Sequence, residues 1–507
     1  MEGGYVLSHP PLAGRYGIAV ALALLALCPY IVLSTASQAL TPLLVRDLGT
    51  SRADLVLVDG LSNAGYAVGA VVAAYLAQKL LSRRLFLLYE VIFVLGSVLA
   101  AAAPDIAVFG AGRVLQGVGT GLLLVSALPP LVTRFGPGRL PLTVAIVDIG
   151  LFGATTVGPL AGGPVAASGH WRLLLAALAV AGVLGFLAGL VGYAPFEPPD
   201  PGLRLDRVVF PLAVAATFLP FFGTSSVGRV GFTSPVFFLP LALGLFALAA
   251  LVVIEYRKDD PLLPVKALST QLPVTGTVVA MIAGAVFIAV LQLVQLFLAD
   301  VAKQGPIHAA SLFWPLPVGL LVATAAFGLL FRTRFVPVLA NAGLVALIVG
   351  TVMLLGLSPS SPGSTVEWAS VALGFGAGAT VSPGLFLAAL GVPSTQIGRA
   401  FALVELLRSE AAFAVAPVAA SVAQSQSDLR HGVDIALYAM VGLGVAGLLA
   451  SLAIPYFSGA RLRRPDLAAW LDRGEQALPT PTTLALVRPA VHDETAEGLL
   501  PRRRSTN

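Results

Sequence analysis

Fourteen apolar runs of about twenty residues leave this chain few ways to fold other than as a bundle of helices in a bilayer. They fall near 16–43, 55–78, 85–103, 107–131, 141–166, 172–194, 208–224, 235–255, 272–298, 310–331, 335–357, 368–391, 398–422 and 434–456. A hydrocarbon core takes ~20 helical residues, and no water is present there to satisfy an open backbone. The run at 208–224 is the weakest, interrupted by Pro211 and Pro220. Only 11% of the 507 residues are charged, against roughly 25% in soluble domains. The expected fold is therefore an all-α polytopic membrane protein whose main solvent is lipid.

Charge placement orients the runs. The net charge of +5 does not mark a nucleic-acid binder, because the Lys and Arg residues lie in short loops between apolar runs. With the N-terminus inside, seventeen of them fall on the inner side and six on the outer side. The inner set includes Arg204 and Arg461. Basic residues are held back on the cytoplasmic side, so both termini are expected in the cytoplasm and the chain in the cell (inner) membrane. The first run, at 16–45, is too long for a leader's apolar core and has no small-residue cleavage site after it. The single cysteine, Cys28, excludes a disulfide framework and a thiolate metal site. The five histidines make no pair at helical spacing.

An internal echo divides the chain. Span four reads Gly117-Val-Gly119-Thr-Gly121 and later Pro129; span twelve reads Gly374-Phe-Gly376-Ala-Gly378 and later Pro383. Span five carries Gly158-Pro159, and span thirteen Ala416-Pro417. If spans seven and eight are inserted, two six-helix bundles remain, in the parallel-repeat arrangement of many transport folds. The expected division is a cytoplasmic N-terminus (1–13), a first bundle (14–194), two linker helices with their loops (195–271), a second bundle (272–456) and a largely disordered cytoplasmic tail (457–507). Within the tail, Asp466 to Gln476 can form a short interfacial helix around Trp470.

Span four contains Arg113-Val-Leu-Gln116-Gly117. An arginine within an apolar span is costly and must face partners inside the bundle; the glycines let backbones approach closely. Span five contains Gly158-Pro159-Leu-Ala-Gly162-Gly163-Pro164, a helix built to bend and to pack without side-chain bulk. His170-Trp171-Arg172 opens span six. Together these runs resemble the drug:proton antiporter branch of the major facilitator superfamily, and the span count resembles its fourteen-span efflux group. Arg113, Gln116 and Gly117 are similar to motif B; Gly158, Pro159, Gly162 and Gly163 are similar to antiporter motif C. The segment from Glu255 to Leu263 is similar to the charged stretch before span nine in that group. The resemblance covers residues 14–456. It implies a secondary transporter that works by alternating access, draws on the proton gradient and needs no cofactor. Two stretches depart from the family pattern. The motif A region keeps Lys79, Arg83 and Arg84 but has Gln78 at the acid position. Span one keeps Thr35 and Pro42 but has Gln38 for Asn and Leu33 for the acid.

Proton coupling requires a carboxyl group that can change charge inside the membrane. Asp148 in span five and Glu405 in span thirteen sit eleven and twelve residues before Pro159 and Pro417, as near-symmetric mates. Glu410 lies deeper, near the midplane. These three are the proton-coupling candidates, although Glu405 and Arg408 at i, i+3 can also neutralise each other. Asp59, near the outer end of span two, and Glu90, close enough to the inner end of span three to snorkel, read as gating or structural groups. Gln38, Gln292, Gln295 and Arg408 are candidates for the cavity wall, which is otherwise apolar and aromatic. That wall suits a hydrophobic or amphipathic small molecule, handled by a monomer embedded in lipid. The alternatives are an exporter of a specific lipid or secondary metabolite without the usual proton site, a transporter-like sensor, and an intramembrane enzyme. The last lacks a zinc motif, a nucleophile elbow and a phosphate loop.

Overall fold

The computed structural model describes residues 10–197, 200, 206–458 and 463–481. Residues 1–9, Arg204, Arg461 and the stretch 482–507 lie outside them. Fourteen long helices follow one another in the expected order: α1 (Tyr16–Leu48), α2 (Arg52–Lys79), α3 (Ser82–Ala101), α4 (Ile106–Thr133), α5 (Gly136–Ser168), α6 (Trp171–Gly192), α7 (Val209–Val230) and α8 (Pro235–Arg257), then α9 (Gln271–Val301), α10 (Pro306–Leu330), α11 (Val336–Met353), α12 (Gly363–Leu390), α13 (Ile397–Gln424) and α14 (Leu429–Ser458). α9 ends in a π-turn at Phe297–Val301, and α10 is interrupted by turns between Ser311 and Leu316. Thirteen of these helices are long and apolar enough to cross a membrane. α13 spans 28 residues but carries Arg399, Glu405, Arg408 and Glu410. Among the described residues there is no strand.

Helix ends are set by polar residues that hydropathy ignores. Ser51 and Asp54 form a reciprocal capping box at the start of α2, and the Asp105 carboxylate accepts from the Ala107 and Val108 amides at the start of α4. Such caps satisfy the orphan donors of a first turn. Gly49 closes α1 in the left-handed region, at φ 60°. These caps extend several helices beyond their apolar runs. α7, the weakest run, is continuous from Val209 to Val230 with Pro220 inside it.

The packing repeats. In the first six helices α2 and α3 pack on α4, α1 on α5, and α3 and α1 on α6; α10 and α11 pack on α12, α9 on α13, and α11 and α9 on α14 in the same pattern. The glycine echo is part of this pattern. A Cβ at Gly117 would collide with the Ser62 carbonyl oxygen of α2, and one at Gly374 with the Leu316 carbonyl oxygen of α10. Between the halves, α2 packs on α13 and α5 on α10.

The near end of the bundle carries residues 10–15 and 463–481; the far end carries the turns at 49–51, 231–234 and 425–428. At the near end the halves meet tightly. Arg332 donates to the Pro137 and Gly138 carbonyls at 2.9 and 3.0 Å. Beneath it the rings of Phe327, Phe331, Phe386 and Phe401 pack with centroids 5.6–6.0 Å apart. The segment 463–481 is docked there. A short helix, Leu467–Asp472, packs on α5, and Trp470 is fully buried. Its indole N–H donates to the Val392 carbonyl at 2.9 Å, and the Leu478 amide donates to the Leu390 carbonyl at 3.0 Å.

Candidate functional site

The central feature lies between the halves and opens toward the far end. A cavity of about 330 Å³ is walled by α1, α2, α7, α9 and α13, with Gln38, Asp59, Asn63, Gln292 and Phe413 among its lining. The same five residues also line a deeper recess of about 40 Å³, whose floor adds Arg113 and Gln295. A side branch of about 260 Å³ runs past Gln38, Pro159 and Gln295 to Phe313. Gln38, Gln292 and Gln295 therefore all line the cavity. The Gln295 side-chain oxygen is buried with no protein partner.

Arg113 lies at the base of the recess, 2% exposed. Its guanidinium donates to the Gln116 side-chain oxygen at 2.8 Å and to Asp59 at 3.3 Å, and lies 5.4 Å from the centre of the Tyr30 ring. Gln116 in turn donates to the Ser97 hydroxyl at 2.8 Å. The planar fork of arginine makes this three-way arrangement possible, and a lysine ammonium cannot reproduce it. Asp59 is thus the carboxylate of the cavity itself, paired with a cation of another helix.

From Arg113 a chain of side chains leads to the other half. Tyr30 stacks on Tyr66, with centroids 5.8 Å apart and planes 11° from parallel. The Tyr66 hydroxyl donates to Glu405 at 2.8 Å, and the Arg408 Nε donates to the same carboxylate at 2.9 Å. Arg408 belongs to this pair and does not line the cavity, contrary to expectation, because the i, i+3 spacing holds it against Glu405. Asp148 occupies the other face of the half–half interface. It is fully buried and accepts a hydrogen bond from Thr324 of α10 at 2.6 Å. Asp148 and Glu405 therefore sit apart from each other and from Asp59, each receiving a hydroxyl from the opposite half. Glu410 is buried, with one carboxylate oxygen unpartnered, and does not line the cavity.

One further expectation is corrected. Glu90 does not snorkel. It is fully buried, with neither carboxylate oxygen partnered, because Gly185 brings α6 directly over it; a Cβ at Gly185 would lie 2.5 Å from a Glu90 oxygen. The motif C glycines do not all face the partner half. Gly158 and Gly162 pack on α1, at Thr35 and Ala36, while Gly163 meets Pro306 and Ala310 of α10. Sequence reasoning missed Tyr30, Asn63, Tyr66 and Phe413. Asn63 was the most accessible of these, since it follows Asp59 by one helical turn inside an apolar run.

The Major Facilitator Superfamily model matches residues 22–417. An uncharacterized MFS-type transporter of Bacillus subtilis, YubD, is 26% identical over 400 residues, which are 78% of this chain and 78% of that one. The tetracenomycin C resistance and export protein of Streptomyces glaucescens is 27% identical over 392 residues, 73% of this chain and 69% of that one. Among solved structures, a POT family transporter in complex with 5-aminolevulinic acid superposes with a TM-score of 0.65 at 14% identity, covering 88% of this chain and 99% of that one. That likeness concerns the fold alone.

Proposed function

Because the chain belongs to the Major Facilitator Superfamily and is a polytopic membrane transporter, we propose that it exports amphipathic small molecules from the cell in exchange for protons. The observation that carries this reading is the cavity between the halves. Its volume of about 330 Å³ falls in the range of roughly 300–1,000 Å³ that suits drug-sized ligands. Its uncharged polar lining includes the amides of Gln38, Asn63, Gln292 and Gln424, and its two charged groups are each paired, Asp59 with Arg113 and Arg52 with Asp300. Such a wall accepts an apolar body carrying a few hydrogen-bonding groups. A sugar phosphate or a polyanion would need unpaired cations that the cavity does not offer.

The positive-inside bias supports a cytoplasmic near end, and on that reading the closed near end and open cavity correspond to an outward-facing form. Export then alternates between this form and one in which the near end parts. Asp148 and Glu405 are the coupling groups of this scheme. Each is held by a hydroxyl from the opposite half, so parting the halves frees both carboxyls to exchange protons with cytoplasmic water. The relay from Arg113 through Tyr30 and Tyr66 to Glu405 lets occupancy of the cavity bear on the same contact.

Transport into everted vesicles tests the reading, with tetracenomycin C (named in a relative's function) and a panel of lipophilic compounds. Uptake that requires an acidic lumen supports it. Uptake indifferent to pH and Na⁺ gradients would favour a lipid or metabolite exporter without proton coupling.

A further inference from the structure

The two helices inserted between the halves are not equivalent. α8 is largely exposed along its length, with Phe238, Leu245 and Phe246 50%, 51% and 74% exposed. α7 packs on both α2 and α13, that is, on one helix from each half, and fills the cleft between them. On the opposite side of the molecule no inserted helix is needed, because α5 and α10 touch directly through Gly163, Pro306 and Ala310.

One face of α7 reaches the cavity: Ser225, Val227 and Gly228 belong to its lining. The other face, with Phe222 and Val230, is exposed away from the cavity. One helix thus separates the cavity from the bilayer along this side. The seat of α7 is specific. A Cβ at Gly60 of α2 would collide with the Ser225 hydroxyl, so a glycine is needed there for α7 to come this close. Gly223 and Gly244 lock α7 to α8 in the same way, against the Phe237 carbonyl and the Pro220 ring. At the far end, Arg229 pairs with Asp54 of α2 at 3.4 Å. Gly228 is different from these packing glycines. It lies in the cavity wall, yet a Cβ there would meet nothing within 4 Å. No packing requirement accounts for a glycine at 228; the space in front of it is cavity.

We propose that α7 is a wall of the transport cavity rather than a linker, and that the missing side chain at Gly228 sets the largest substrate the cavity admits. This rests on the export reading above for the identity of the cargo, but not for the existence of the wall. A side chain at 228 projects into the space a bulky polycyclic compound would occupy and leaves the rest of the cavity intact. Substrate size, rather than charge, is then selected from α7, while Asp59, Asn63 and the glutamines select hydrogen bonding from the other walls.

The test has two arms, both in full-length protein with Cys28→Ser, which leaves one introduced thiol. In lipid nanodiscs, Gly228→Cys should react with the water-borne cation 2-(trimethylammonium)ethyl methanethiosulfonate, while Phe222→Cys, on the lipid-facing side of the same helix, should be at least about tenfold slower. Equal rates at the two positions, or no reaction at 228, would overturn the wall. In vesicles, Gly228→Trp should lower transport of tetracenomycin C at least about tenfold and leave that of small monocyclic compounds near wild type. A uniform loss across sizes, or no change at any size, would overturn the size limit. If the wild type moves no compound, the export reading fails while the labelling arm still decides whether α7 lines the cavity.

Discussion

Tyr66 donates its hydroxyl to Glu405 at 2.8 Å, joining α2 of the first half to α13 of the second. Thr324 and Asp148 make the counterpart bond at 2.6 Å, joining α10 to α5. The two contacts lie on opposite sides of the half–half interface, and the same element pairing recurs in both. On the proposed export scheme, separation of the halves at the near end breaks them together, so that proton exchange at both carboxyls would belong to a single conformational step.

Neutralising either carboxyl should uncouple transport without abolishing binding. Asp148→Asn and Glu405→Gln keep size and hydrogen bonding but remove the charge that alternates. Each should still bind a fluorescent substrate, yet gradient-driven accumulation should fall at least about tenfold, equivalent to about 1.4 kcal/mol. Glu410→Gln, which touches neither cross-half contact nor cavity, should be milder. Accumulation with an unchanged pH profile in both interface variants would remove these groups from the coupling scheme.

The Arg113–Asp59 pair should matter to stability as well as to transport. Arg113 is 2% exposed, and removing the partner of a buried charge costs about 3–5 kcal/mol, less where the partner is partly wet as Asp59 is. Asp59→Ala should therefore lower the unfolding temperature in detergent and abolish transport. Asp59→Asn/Arg113→Gln, which removes both charges, should recover the unfolding temperature but not the transport. A double variant no more stable than Asp59→Ala would mean that the pair does not hold α2 to α4.

Apolar runs marked fourteen helices, because in lipid the backbone has no other way to be satisfied, although α13 with its four charged residues falls short of the apolarity of the other thirteen. The helix ends were less legible, since Ser51, Asp54 and Asp105 act through backbone caps that an apolar window discards. Within the site, the contacts at i, i+3 spacing, Glu405 with Arg408 and Arg113 with Gln116, are the ones position along one helix can suggest. Asp59 and Arg113 are 54 residues apart, and Tyr66 and Glu405 are 339 apart; no periodicity links them. Glu90 shows the converse failure. Its distance from the end of α3 suggested a route to water, but Gly182, Gly185 and Gly189 seat α6 on the face where Phe86, Glu90 and Phe93 lie, and that closes the route.

Reporter fusions check the orientation on which the outward-facing assignment depends. Fusions at Thr50 and Ser425 should report the outer side, and one at Arg334 the cytoplasm. An inner signal at Ser425 alone would mean that α13, the helix richest in charge, does not cross the bilayer.

Gly158 should tolerate nothing larger. A Cβ there would collide with the Thr35 hydroxyl and lie 2.7 Å from the Val32 carbonyl oxygen, and overpacking of this kind costs about 1–3 kcal/mol. Gly158→Leu should abolish vesicle transport. Thr35→Ala should restore part of the activity to Gly158→Ala, because it removes the worst contact and leaves the second. Full activity in Gly158→Leu would show that α1 and α5 need not approach so closely during the cycle.

The docked segment 463–481 should act as a strap on the near end. It ties to the second half through Trp470 to the Val392 carbonyl and through Leu478 to the Leu390 carbonyl, while its short helix rests on α5 of the first half. Trp470 is fully buried, and truncating such a side chain to alanine costs about 3–5 kcal/mol at that site. That energy is lost only from the closed near end if the strap releases when the halves part. Trp470→Ala should therefore shift the population toward near-end opening. The reporter is Ala145→Cys in a Cys28→Ser background, since Ala145 packs against Gly328 across the same interface. Its reaction with a thiol reagent should accelerate at least about tenfold when Trp470 is truncated. An unchanged rate together with a lowered unfolding temperature would assign Trp470 to overall stability, and the strap would have no part in the alternation.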